Sequence, residues 1–161
     1  MDLNNSRLHV RVKIIKADVR NIDVNTACLI NLTLHSMFCE IGLELNGQNV
    51  GDPSQLYPYH SHLMSFLNFC KESPKTRLLC EWWTKDSTAH MGVIAVGWNI
   101  ACLNARAATF ARSTVFELIG RPHLHVFAHE RVIPPKIDYH MRLMQYPNNF
   151  LCKSAAPVQG V

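Results

Sequence analysis

Cys39-Glu40-Ile41-Gly42-Leu43-Glu44-Leu45-Asn46-Gly47-Gln48-Asn49-Val50 is the stretch that decides how this chain is built. Cys39, Ile41, Leu43 and Leu45 are apolar, and Glu40, Gly42 and Glu44 between them are not. A period of two marks a strand with one dry face and one wet face. The strand runs into Asn46-Gly47, the dipeptide that most readily takes positive φ at both central positions of a type I′ turn. Gln48 to Val50 start back along the same sheet, so the stretch predicts a β-hairpin with its turn at the surface.

Working outward, Arg7 to Lys16 alternates as cleanly: Leu8, Val10, Val12 and Ile14 point one way, Arg7, His9, Arg11 and Lys13 the other. Ile137, Tyr139, Met141 and Leu143 alternate with Asp138, His140 and Arg142, which predicts another strand. Thr114 to Phe127 reads as strand with a bulge or kink at Gly120-Arg121-Pro122. Cys28 to Phe38 is apolar with mixed periodicity and fits a short helix or a buried strand equally well. Leu56 to Cys70 switches period, with Tyr59, Leu63, Phe66, Leu67 and Cys70 recurring at three and four, which predicts an amphipathic helix. Thr76 to Ser113 reads as a long excursion between strands, with one strand at Val93 to Trp98. Phe150 to Lys153 starts or finishes one more strand, and residues 155–161 read as a loose tail.

Many short strands, turns at intervals and one short helix in a long connection predict an all-β antiparallel sandwich. Its core is expected to gather Leu8, Val10, Val12, Ile14, Ile41, Leu43, Leu45, Phe116, Leu118, Tyr139, Met141 and Leu143.

Composition narrows the function classes. The chain has 161 residues, 48% of them hydrophobic and 17% charged, enough for one domain with a real core and unlike a disordered chain. The net charge of +4 is mild, and the series Arg7, Arg11, Lys13 and Lys16 reads as a solvated strand face, so no specific nucleic-acid partner is expected. The six cysteines include no C-x-x-C pair and read as reduced, buried small hydrophobes. The N-terminus has no signal-peptide pattern, and no run reaches the ~18 apolar residues of a membrane span.

Nine histidines invite a metal hypothesis. In His123-Leu124-His125-Val126-Phe127-Ala128-His129-Glu130, a strand would place His123 and His125 on one face with Glu130 following, similar to the first metal motif of cupins. Gly120 stands too close ahead of it, and no second half-motif follows. Two strand histidines do not complete a ligand set, so His123, His125 and Glu130 stay an alternative and no metal is expected. His60 and His62 fall on different faces of the predicted helix. Cys39, Cys80 or Cys102 could be paired with a histidine as nucleophile and base, but no local signature supports it. No phosphate loop, G-x-S-x-G or H-E-x-x-H occurs, so neither an enzyme, catalytic residues nor a cofactor is expected. Trp82 and Trp83 read as core or interface anchors.

Two segments together resemble a known family. One is Asn31-Leu32-Thr33-Leu34-His35-Ser36-Met37-Phe38 leading into Leu43-Glu44-Leu45-Asn46-Gly47. The other is Leu118-Ile119-Gly120-Arg121-Pro122-His123 followed by Phe127, Glu130 and Arg131. With Tyr57-Pro58-Tyr59 between them and Met141-Arg142-Leu143 ahead of Asn149-Phe150-Leu151-Cys152, the chain resembles the N-terminal jelly roll of the double jelly-roll major capsid proteins of Polinton/Maverick elements and adintoviruses.

The resemblance implies that residues 1–154 are one jelly roll, half of a longer structural capsid protein. It implies self-association into trimers whose jelly rolls form a pseudo-hexagonal capsomer, in contact with the second jelly roll and neighbouring capsomers of an icosahedral shell. It implies a virion location, cytoplasmic or nuclear before assembly, with no membrane partner. The alternatives are a cupin-like metal-binding protein, or a small ligand-binding β-sandwich using Trp82, Trp83 and the Arg7 to Lys16 face. A capsid half carries apolar surface that partners cover, expected here on Trp82, Trp83, Val93 to Trp98 and Ala101 to Ala111.

Overall fold

The alternating run near the start forms β1 (Leu8–Val12), and after a two-residue break the chain re-enters sheet as β2 (Ile15–Lys16). These assignments come from a computed structural model of the chain, which describes residues 2–16, 20–22, 27–51, 54–68, 77–84, 106–130, 132–154 and 158–160. The ambiguous apolar segment resolves into both of its readings. It gives β3 (Ala27–Leu29) and then a one-turn helix, α1 (Thr33–Ser36), with Leu32 between them at φ 53°. A leucine in the left-handed region is a sharp reversal, and it converts the strand into the helix. The opening hairpin is β4 (Phe38–Leu45) and β5 (Gln48–Asn49), with Asn46 at φ 49° and Gly47 at φ 76°, both in the left-handed region as a type I′ turn requires.

Beyond the hairpin come α2 (Tyr57–Asn68), the one-turn α3 (Arg77–Cys80), β6 (Phe116–Gly120), the one-turn α4 (His125–Ala128) and β7 (Tyr139–Gln145). The one-turn α5 (Asn148–Leu151), β8 (Cys152–Ser154) and β9 (Val158–Gly160) follow. Among the described residues strand pairing is antiparallel: β1 with β6, β2 with β9, β3 with β8, and a three-stranded sheet in the order β5-β4-β7. The architecture is a set of small antiparallel sheets, compatible with a β-sandwich, in which helix and strand take equal shares. The expectation of a single helix therefore falls short: the connections are short helical turns rather than loops. Val158–Gly160, expected in a loose tail, pairs with β2.

β4 is the centre of its sheet, and both of its faces are covered. Ile41 and Leu43 are buried as the alternation predicts, but so are Glu40 and Gly42, which it assigns to the wet face. Arg142 on β7 explains this, because its Nη2 donates to Glu40 Oε1 at 2.9 Å. A carboxylate with that partner can be covered. Most of the expected core residues do face inward, but around two centres. Val12, Ile14, Ile41 and Leu118 are buried in the main one, with Leu8, Val10, Phe116 and Met141 packed against it. Leu43 belongs to a smaller cluster with Leu3 and Phe127, flanked by Leu45 and Tyr139. Leu143 is exposed instead: among the described residues β7 is an edge strand, and its C-terminal half is exposed.

α2 has the predicted period with the opposite orientation. Its buried residues are Tyr57, Pro58, Ser61 and Ser65, whereas Tyr59, Leu63, Phe66 and Leu67 are 55%, 60%, 63% and 79% exposed. The inward serines are small enough to let the helix approach α1 and β4, which it packs against. Their hydroxyls are satisfied locally, Ser61 donating to the Pro58 carbonyl at 2.9 Å and Ser65 to the Ser61 carbonyl at 2.8 Å. Trp82 packs half-buried against the core, its ring edge-on to Phe110 and Phe116, and Trp83 lies against Phe66. Ala107 and Phe110 are buried too, so the expected apolar surface of the excursion is partly interior. Val93 to Trp98, residues 101–105, Cys70 and Cys102 lie outside the described residues. Among the described residues no helix is long and apolar enough to cross a membrane.

Candidate functional site

Asn31 begins the construction of the site. Its side chain clamps the backbone of Thr84, donating to the Thr84 carbonyl at 2.6 Å and accepting from the Thr84 N–H at 2.8 Å. Leu32 N–H adds a bond to the Trp82 carbonyl at 3.0 Å, and Leu34 N–H reaches the Glu81 carbonyl at 3.4 Å. The N-terminus of α1 is thereby docked on the turn that ends α3, where Trp82 takes φ 59°. This docking sets His35 of α1 beside Glu81, with His35 Nε2 3.5 Å from Glu81 Oε2.

β6 supplies the third group. It ends at Gly120, where a Cβ would lie 2.5 Å from Leu34 Cδ2, 2.7 Å from Glu81 Cγ and 2.8 Å from Glu81 Oε1. Only glycine permits that approach. The chain then runs through Arg121, whose Nη1 donates to Asn4 Oδ1 at 2.6 Å, to His123. The His123 ring stands edge-on to His35 at 4.5 Å between centroids. Tyr57, at the first turn of α2, closes the group: its hydroxyl is 2.8 Å from His35 Nδ1 and accepts from the His123 backbone N–H at 3.1 Å.

The electrostatics of this cluster are those of a dry interior. His35 is fully buried and Glu81 nearly so. Burial first, and then the neighbouring His35, Arg121 and His60, hold the His123 imidazole down to about 3 from its ordinary 6.5, so it is neutral at physiological pH. Burial pushes the Tyr57 phenol above its usual value against the opposing bond from His123, with Glu81 adding to the rise, so the hydroxyl stays protonated. One nitrogen or oxygen of each of three residues, His35 Nε2, Glu81 Oε2 and His123 Nε2, is buried and makes no hydrogen bond. Suitable donor atoms of these three residues lie within 4.8 Å of one another.

The histidine motif read from the sequence comes apart at this point. The strand ends at Gly120, before His123, and His125 opens α4, so the two histidines share no strand face. His125 and Glu130 are exposed, and His125 lies near His60, 5.8 Å between ring centroids, rather than in the cluster. Only His123 belongs to the constellation, and its partners His35 and Glu81 stand far away in sequence. The signal that could have pointed to them was weak: a histidine inside an otherwise apolar segment, and an acid between apolar neighbours. Of the cysteines, Cys28 is buried as expected, while Cys80 is exposed. Cys152 is pushed up to about 11 by burial and then by Cys28, which leaves its thiol protonated. Cys39 Sγ lies 3.3 Å from the Met144 carbonyl, away from any histidine pairing described in the structure.

The cluster borders a cleft of about 400 Å³ whose lining includes Leu56, Tyr57, His60, Leu63, His123 and His125. No family model, curated protein or solved structure matches this chain.

Proposed function

We propose that this chain is a structural protein, one jelly-roll half of a viral-type major capsid protein that self-associates into trimeric capsomers. The observation that carries the reading is the outward apolar row of α2. Tyr59, Leu63, Phe66 and Leu67 stand more than half exposed along one side of the longest helix described. A stripe of that kind marks a surface that a partner covers. The residues of the family likeness support the same reading: the two segments that carry it meet where His35 faces His123. The antiparallel pairs β1–β6 and β4–β7 are compatible with the sandwich that such a capsid half requires. In this reading the second jelly roll or a neighbouring copy lies over α2, and the protein's destination is the virion.

The ligand-binding sandwich has fewer of its residues free. Trp82 packs half-buried against the core, and Arg11 and His9 on the basic strand lie 3.1 and 3.4 Å from Glu117. The cupin-like reading loses its ligand set, as described above.

Sedimentation of the purified chain at micromolar concentration tests the proposal. Self-association with binding of a hydrophobic dye is the expected result, and Leu63→Ser combined with Phe66→Ser should shift the protein to monomer with its fold intact. A clean monomer that binds no dye would remove the capsomer reading.

A further inference from the structure

We propose that His35, Glu81 and His123 form a divalent transition-metal site suited to zinc, with Tyr57 holding His35 in position from outside it. The inference does not rest on the capsid reading, because a buried ion that joins distant segments serves any protein built on this fold.

Three observations carry it. The first is that the three residues whose donor atoms cluster, His35, Glu81 and His123, each hold a buried side-chain atom without a hydrogen bond: His35 Nε2, Glu81 Oε2 and His123 Nε2. A buried polar atom without a partner is costly, and three on neighbouring residues are rare in a folded protein. One cation between them satisfies all three together.

The second is distance. Zinc bonds of about 2.0–2.1 Å in a tetrahedron put neighbouring donors about 3.3 Å apart. His35 Nε2 and Glu81 Oε2 are 3.5 Å apart, close to that edge. The three donor groups lie within 4.8 Å of one another, so small rotations of the rings and carboxylate close the set. Two imidazole nitrogens and one carboxylate oxygen, with no sulfur, suit zinc and its neighbours rather than magnesium or calcium. Three protein ligands leave one tetrahedral position for a water.

The third is the outer support. A ligating histidine is normally oriented by a partner on its other ring nitrogen. Tyr57 fills that role: in the tautomer whose Nδ1–H donates to the Tyr57 oxygen, 2.8 Å away, His35 Nε2 keeps its lone pair and can ligate. Tyr57 and His123 also line the cleft, so the proposed site lies at its border. The metal would tie α1, the turn after α3 and the segment after β6 together across long stretches of chain. Part of its binding free energy therefore becomes folding free energy.

The test uses the untagged full chain, stripped with a chelator and titrated with Zn²⁺ against a chromogenic chelator, then with Co²⁺. The expected result is one equivalent bound with sub-micromolar affinity, a raised melting temperature, and the visible absorption of four-coordinate cobalt. Tyr57→Phe should weaken binding by about 10–100-fold, and Glu81→Gln or His123→Gln by more. His60→Ala combined with His125→Ala removes the cleft's half-buried and exposed histidines outside the proposed ligand set and should leave binding unchanged. Loss of binding in that double variant with retention in Glu81→Gln would overturn the site in favour of surface histidines. If Glu81→Gln does not fold, the wild-type chain still decides. An unchanged melt with Zn²⁺, or a six-coordinate cobalt spectrum like that of the free ion, would overturn the proposal.

Discussion

β4 and α2 are the two best-patterned elements of this chain, and they use their patterns in opposite directions. β4 turns Ile41 and Leu43 inward, and its position at the centre of a sheet draws even Glu40 and Gly42 under cover. α2 turns its serines inward and its Tyr59, Leu63, Phe66 and Leu67 outward. Periodicity therefore reports that an element has two unlike faces, not which of them this chain covers by itself. A strand between two hydrogen-bonded neighbours is fixed in place by its ladder. A surface helix can dock by whichever face fits, and small residues fit closest.

The sharpest way to break this contrast is Leu43→Ala. Leu43 is fully buried between Leu3 and Phe127, so truncation should cost about 2–5 kcal/mol, measured as a lower denaturant midpoint at unchanged slope. A cost under 1 kcal/mol would mean that the inward face of β4 is not a true core. Next comes Ser61→Leu on α2. The site is fully buried, so although the change makes the helix more apolar it should destabilise by about 1–3 kcal/mol through overpacking. A stabilised variant would show that the serine face is not the packed one.

Gly47→Val probes the turn that fixes the register of β4. A Cβ at Gly47 meets nothing within 4 Å, so the cost there is purely the left-handed φ of 76°, about 1–2 kcal/mol. Hydrogen exchange should show faster opening at Val50, whose N–H bonds to the Leu43 carbonyl. The smallest effect belongs to Leu67→Ser, at 79% exposure: within about 0.5 kcal/mol in the monomer, with its consequence appearing in sedimentation instead. If Leu67→Ser destabilises as much as Leu43→Ala, the two elements are not opposites.

Local pattern made much of the fold legible. The strands at Leu8–Val12 and Tyr139–Gln145, the Asn46-Gly47 turn and the helix beginning at Tyr57 all follow from residues close in sequence. What was not legible depends on contacts between distant segments. The strand expected to continue to Phe127 stops at Gly120, because Glu81 and Leu34 crowd that position from elsewhere in the chain. Glu40 reads as solvated until Arg142 arrives from β7. The candidate site is the extreme case. His35, Glu81 and His123 come from three elements brought together by the Asn31 clamp and by the gap at Gly120. No spacing rule within one segment could have assembled them.

The three-stranded sheet carries one more consequence, which lies in its two rims. Among the described residues it ends at β5 on one side and at β7 on the other. β5 is two polar, exposed residues long, Gln48–Asn49, and offers an incoming backbone almost no ladder. β7 runs for seven residues and carries exposed Leu143 and Met144 along its second half. Edges of the first kind repel further strands and edges of the second kind accept them. The sheet is thus one-sided toward extension. A strand supplied from outside would extend it past β7, antiparallel or parallel to Tyr139–Gln145, and the Asn46-Gly47 hairpin would remain its closed end.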